Sequence, residues 1–189
     1  MASNDYHFVT VWDLPGTTIE EVSAILGDAA DLARWWPAVY LDVRVIEPGD
    51  AAGVGRLVAL YTKGWLPYTL RWRFRVTESR PPHGFVIEAV GDFVGRGEWT
   101  LEQAGPDVRV TYDWRIRAEK GVLRRLSFVM KPIFGANHRW AMARGLDSMR
   151  IELARRRAGG DPTILAALPS PPGPTFPHSL AVFRRGRAA

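Results

Sequence analysis

The chain reads as an α+β fold, with a seven-stranded antiparallel sheet wrapped around one long C-terminal helix and two short helices after the first strand. Three observations predict it. Apolar residues alternate with a period of two between residues 40 and 117, the spacing turns helical beyond Gly121, and a strand followed at once by a capped helix opens the sequence. The 189 residues suffice for one core, and a composition of 47% hydrophobic and 24% charged residues is that of a globular domain.

The first strand is predicted over Tyr6 to Leu14, where β-branched and aromatic residues crowd between a polar start and the breaker Pro15-Gly16. Thr17 and Glu20 then have the spacing of a capping box, and Ile19, Val22, Ile25 and Leu26 form one helical face that stops at Gly27. Asp28 can cap a second short helix through Trp35, and Trp36-Pro37 ends it because proline cannot continue the hydrogen bonding.

Six strands are expected next. Turn clusters at Glu47 to Asp50, Gly64, Ser79 to Gly84, Gly91-Asp92 and Ala104 to Asp107 separate them. Tyr68, Leu70, Trp72, Phe74 and Val76 alternate with Thr69, Arg71, Arg73, Arg75 and Thr77, and Val108, Val110, Tyr112, Trp114 and Ile116 alternate with polar residues in the same way. One face is therefore aromatic and the other charged, as in a sheet buried on one side. The apolar positions after Gly121 include Leu123, Leu126, Val129, Met130 and Ile133, then His138, Met142, Leu146, Met149 and Leu153. Pro132 is expected to split them into a short helix and a long one running to Arg157, ahead of Gly159-Gly160. The run Leu168 to Pro177 is too rich in proline for helix or interior strand and reads as a polyproline-like or disordered extension. The domain is thus expected over residues 1–158, with a flexible Pro/Arg-rich tail over 159–189.

The formal charge of +5 suggests an anionic partner until it is divided along the chain. Residues 155–189 hold six of the 25 basic residues and one of the 20 acidic ones, which leaves 19 against 19 in residues 1–154. The domain is charge-balanced and the tail is basic, so nucleic acid is not expected as a partner. Arg155-Arg-Arg157 suits the negative end of a helix, and Arg184-Arg-Gly-Arg187 reads as a solvated terminus. The absence of cysteine rules out disulfides and thiolate chemistry. No signal-peptide pattern and no long apolar run is seen, so a cytoplasmic protein without a transmembrane segment is expected.

A lone apolar helix must cover the aromatic sheet face, since nothing else in the chain can. On Trp35-Trp36-Pro37, the run Gly91-Asp-Phe-Val-Gly-Arg-Gly-Glu-Trp99, and Asn137-His138 with Met142, the sequence resembles the START-like (SRPBCC) superfamily and its polyketide cyclase/dehydrase-like branch, over residues 5 to 157. The resemblance implies a helix-grip fold with an apolar cavity between the long helix and the sheet. It also implies a hydrophobic small-molecule ligand, whether aromatic, polyketide-like or lipid-like. That fold serves carriers and catalysts alike.

The inward aromatic residues are the candidate binding surface: Trp36, Tyr61, Trp65, Tyr68, Trp72, Phe74, Phe93, Trp99 and Trp114, joined by Phe134 and Met142 from the long helix. Trp36 and Trp65, each next to a proline-ended segment, are expected at the cavity rim. Gly95 and Gly97 suggest a bend or a close backbone approach to helix or ligand, and they lack the third glycine of a dinucleotide loop. His138, one turn before Met142, is the candidate acid/base, and Tyr112 is a second candidate for handling a proton. No metal-ligand spacing, HExxH or GxSxG occurs, so neither a metal nor a cofactor is expected. Three functions compete: a binder of an apolar metabolite, a cyclase/dehydratase acting on a poly-β-ketone, and an interaction module using the basic tail. The first is preferred, as a monomer or homodimer.

Overall fold

A computed structural model describes residues 4–119 and 121–175, and side chains outside 118 and 121–130 within them. The elements are β1 (Asp5–Leu14), α1 (Ile19–Leu26), a 3-10 turn (Ala29–Asp31), α2 (Leu32–Trp35), β2 (Tyr40–Glu47), β3 (Leu57–Lys63), β4 (Thr69–Arg80), β5 (Gly84–Gly91), β6 (Phe93–Ala104), β7 (Asp107–Ala118), α3 (Gly121–Arg157) and α4 (Pro162–Ala167). All seven strands form one antiparallel sheet in the order β1-β7-β6-β5-β4-β3-β2. The helix-grip architecture expected from the sequence is thus present.

The alternation sets the layers. Trp72, Phe74 and Val76 of β4 and Val108, Val110, Tyr112 and Trp114 of β7 are buried, while Arg71, Arg73, Arg75, Arg109 and Arg115 are exposed. On the outer face these cations meet carboxylates: Arg75 with Glu47, Arg109 with Asp13 and Arg115 with Asp113. Such exposed pairs contribute little to stability but keep the outer face soluble. The core is built from α1, α2, the inner sheet face and one side of α3, where Met142, Met149 and Leu153 are buried.

Several local details differ from the sequence reading. The capping box is Thr18 with Glu21, one residue later than Thr17 with Glu20. Thr17 is buried and donates its hydroxyl to the Leu14 carbonyl at 2.8 Å, so it closes the turn and leaves the cap to its neighbour. Asp28 precedes a 3-10 turn and makes no side-chain cap bond. Pro132 does not split the last helix: α3 runs continuously from Gly121 to Arg157, with Pro132 exposed on its surface. Losing one backbone donor there does not outweigh the helical hydrogen bonding on either side. Beyond Gly159-Gly160, Asp161 caps a further helix, accepting from the amides of Thr163 and Ile164, with Pro162 in the first turn. Residues 168–175 then run without helix or strand, and Thr175 donates to the Gly64 carbonyl at 3.5 Å. The remainder of the proline run and Arg184-Arg-Gly-Arg187 lie outside the described residues, as do the side chains of Leu123, Leu126, Val129 and Met130.

The arginines ending α3 do more than complement its dipole. Arg157 binds both oxygens of the Glu21 carboxylate at 2.6 Å and the Gly16 carbonyl at 2.8 Å. Arg156 binds Glu152 at 2.9 Å. Glu152 is buried and also accepts from Arg34 at 2.6 and 2.9 Å. Burial alone would push the Glu152 carboxyl up, but the Arg34 and Arg156 hydrogen bonds bring it below the ordinary range. These clamps fix the C-terminal half of α3 against α1 and α2, and so fix where its other half meets the sheet.

Candidate functional site

A cavity of about 160 Å³ lies between the middle of α3 and the sheet. Its floor is the inner sheet face, with Trp72, Phe93, Trp99, Tyr112 and Trp114, and its roof is Phe134, His138, Ala141 and Met142 of α3. Trp36, Val39 and Tyr40 close one side, and Tyr6, Phe8 and Tyr68 another.

Glycine makes this packing possible at three points. A side chain on Gly97 would start 2.7 Å from the Trp114 ring and 2.8 Å from the Tyr112 hydroxyl, so its absence lets those two residues lie flat on β6. Gly97 thus belongs to the binding face, whereas Gly95 is pressed against the β7 backbone, where a Cβ would overlap the Arg115 carbonyl. On α3, a Cβ at Gly145 would overlap the Trp36 indole, so this helix-interior glycine seats Trp36. At the rim, a Cβ on Gly64 would fall on the Asn137 amide, whose Oδ1 accepts from the Leu66 amide at 3.3 Å. Asn137 therefore holds the β3–β4 loop to α3.

The floor is a stack. Trp99 and Tyr112 lie face to face at 4.0 Å, Tyr112 and Trp114 follow at 5.5 Å, and Trp72 and Phe93 are 4.8 Å apart. Trp72 donates its ring N–H to Thr62 Oγ1 at 3.0 Å, so its polar handle is satisfied within the protein. The Tyr6 hydroxyl and the Trp36 ring N–H are buried with no hydrogen-bond partner among the described residues. Both line the cavity, and a buried donor left unpaired favours a ligand that brings an acceptor.

His138, Tyr40, Tyr68 and Tyr112 of the wall are held neutral, and Lys63, which also lines it and is buried, has its pKa lowered by that burial. His138 stacks on Phe8 at 4.3 Å, and its Nε2 lies 3.4 Å from Thr10 Oγ1. Burial, with a smaller contribution from Arg139, lowers its pKa to about 4. Burial pushes the Tyr40 and Tyr112 hydroxyls well above the ordinary phenol range, with Tyr40 adding to the effect on Tyr112, and raises Tyr68 to about 12. At neutral pH the imidazole is uncharged and a weak base, while the phenols donate hydrogen bonds. The wall can solvate a ligand oxygen, and it is poorly matched to abstracting a proton, which calls for a base with a pKa near the working pH.

Of the residues singled out from the sequence, His138, Tyr112, Trp36, Tyr68, Trp72, Phe93, Trp99, Trp114, Phe134 and Met142 stand on this wall. Tyr61 does not: Leu60 and Thr62 take the inward positions of β3, which turns Tyr61 to the outer face beneath the Arg71 guanidinium, 4.6 Å from its ring centre. Trp65 is 37% exposed on the β3–β4 loop and contributes no wall. Phe74 is buried past Trp72, 6.1 Å from it ring to ring, and lies away from this cavity. Tyr6, Phe8, Tyr40 and Ala141 were missed. The alternation of β1 and the helical spacing from His138 carry a signal for Phe8 and Ala141. Asn137 is singled out by the family resemblance, but its contact with the β3–β4 loop has no signal in the sequence, because it depends on where Gly64 arrives.

A seven-stranded antiparallel sheet gripping a long C-terminal helix, with an aromatic cavity between them, defines the protein as a helix-grip, START-like domain. More particularly, the chain belongs to the family described as polyketide cyclase / dehydrase and lipid transport, whose model matches residues 8–154. Among solved structures, it is similar to the Zhui aromatase/cyclase from Streptomyces sp. R1128, with 18% identity, a TM-score of 0.62, and coverage of 82% of this chain and 98% of that one. It is also similar to TTHA0849 from Thermus thermophilus, with 13% identity, a TM-score of 0.61, and coverage of 80% and 99%. A third similar structure is Ara h 8.0201, with 10% identity, a TM-score of 0.51, and coverage of 79% and 97%. At these identities the likeness is one of fold. No curated protein matches the sequence. Among the described residues, no helix is long and apolar enough to cross a membrane.

Proposed function

We propose that the protein binds an apolar small molecule, aromatic or chain-like, in the cavity under α3. The observation that carries this reading is the cavity wall itself: stacked aromatic side chains around a few hydrogen-bond donors, with its histidine and phenols uncharged. Burial of an apolar ligand there supplies the driving force, at roughly 25 cal/mol per Å² removed from water, and the donors orient any oxygen it carries. The family description supports such a ligand. Native mass spectrometry of the purified protein, before and after incubation with apolar metabolite mixtures, tests it. One bound small molecule per chain is expected, and the absence of any adduct would refute the reading.

A second reading is favoured by the place of His138 in the wall and by the cyclase and dehydrase members of the family. In it the cavity folds a poly-β-ketone chain into a reactive conformer, with the phenols polarising a carbonyl. Turnover of such a substrate that survives in both His138→Gln and Tyr112→Phe would remove those residues from the mechanism.

A further inference from the structure

A second cavity, of about 210 Å³, lies deeper in the domain, between α1, α2 and strands β4–β7 of the sheet. Leu26, Ala29, Leu32, Phe74, Val76 and Ile87 make its wall mostly apolar, with Ser23, Arg56 and Ser79 at its edge. Its outer wall is the loop of residues 48–56, which is pinned in place. Arg56 donates to the Gly27 carbonyl at 2.7 Å and the Pro48 carbonyl at 3.1 Å, and Ser79 donates to the Ala52 carbonyl at 2.6 Å.

The two cavities share five wall residues, Trp36, Tyr40, Trp72, Trp99 and Tyr112, so a single layer of rings separates them. Trp36 and Tyr40 meet edge to face at 5.2 Å on the α2–β2 side, and Trp99 and Tyr112 form the stacked pair on the sheet side. Nothing covalent ties the two sides together. Side chains alone separate the spaces, whereas the backbone around them is fixed by the sheet and by the Arg34 and Arg157 clamps. Size points the same way. Ligand pockets run from roughly 300 Å³ upward, which neither cavity reaches alone and the two joined exceed.

From this shared aromatic layer we infer that the two cavities are the halves of one site, and that its ligand is an elongated apolar molecule threading between the Trp36–Tyr40 and Trp99–Tyr112 pairs. The inference rests on the proposed function and adds a length to its ligand. Phe74, which lines the deeper half only, then contacts the far end of that ligand.

The test is displacement of the neutral fluorophore N-phenylnaphthylamine by hexanol, octanol, decanol and dodecanol. With both halves in use, affinity rises about four-fold for each added methylene across the series, the equivalent of about 0.8 kcal/mol per buried CH₂. Ser23→Leu and Ala29→Leu place bulk in the deeper cavity without touching the first. Each is expected to leave hexanol affinity unchanged and to abolish the gain for the longer alcohols. Ser23 sits half-buried on α1, so its variant tests the inference even where Ala29→Leu fails to fold. A wild-type affinity that stops rising beyond hexanol overturns the inference, as does an unchanged length dependence in a folded Ser23→Leu variant. Failure of the fluorophore itself to bind would instead count against the proposed function.

Discussion

Acidification should destabilise this protein through His138 well before its carboxylates titrate. The ring has a pKa of about 4 in the folded chain against an ordinary value of 6.5, so the unfolded chain takes up a proton first. Stability is therefore unaffected above the unfolded value and falls as the pH drops from 6.5 towards 4. Each tenfold difference in proton affinity between the two states is worth about 1.36 kcal/mol, so this one residue costs about 2 kcal/mol at pH 5 and about 3 kcal/mol at pH 4. Urea unfolding followed by tryptophan fluorescence at pH 8 and pH 5, on wild type and His138→Gln, isolates it. His7, His83 and His178 are common to both proteins and cancel. Glutamine retains a polar partner for Thr10 and cannot charge, so the variant should lose about 2 kcal/mol less over that interval. Equal losses in the two proteins would refute the assignment of a desolvated, neutral His138.

Gly145→Ala should destabilise by about 1–3 kcal/mol, although alanine is ordinarily the better helix former, because its Cβ would overlap the buried Trp36 ring; thermal denaturation checks the sign. Gly97→Ala should lower both stability and probe affinity, since the added carbon displaces Tyr112 and Trp114 from the floor, and fluorescence titration reads the second effect. Arg34→Ala leaves the buried Glu152 with Arg156 as its remaining cation and should cost about 2 kcal/mol in urea unfolding, with the deficit shrinking as acid protonates Glu152.

The period-two pattern of 40–117 made the sheet legible in the sequence, because an antiparallel sheet with one wet face must alternate. The lone apolar helix after Gly121 was legible because only it could cover the dry face. Spacing points to Thr17 as the cap because it cannot reveal that the Thr17 hydroxyl is spent on Leu14. The helix in the tail was readable in Asp161-Pro162, an N-cap followed by a first-turn proline, and the prolines after it masked the signal. In the candidate site, strand parity placed Trp72, Trp99, Tyr112 and Trp114, and the same parity, applied to β3, would have excluded Tyr61. What parity cannot supply is the meeting of distant segments: Asn137 with Gly64, Gly145 with Trp36, and the single aromatic layer between two cavities. Each depends on how α3 crosses the sheet, which the clamps from Arg34, Arg156 and Arg157 set some distance away.

The central claim is that the space under α3 holds an apolar ligand, and filling that space tests it most directly. Ala141 faces the first cavity from the middle of α3, in a helix held at its far end, so Ala141→Phe occupies the volume while leaving the sheet intact. Titration with N-phenylnaphthylamine should show saturable uptake of one molecule per chain by wild type, and at least roughly ten-fold weaker uptake by Ala141→Phe with an unchanged circular dichroism spectrum. Equal uptake by both proteins, or no saturable uptake by wild type, would contradict the claim.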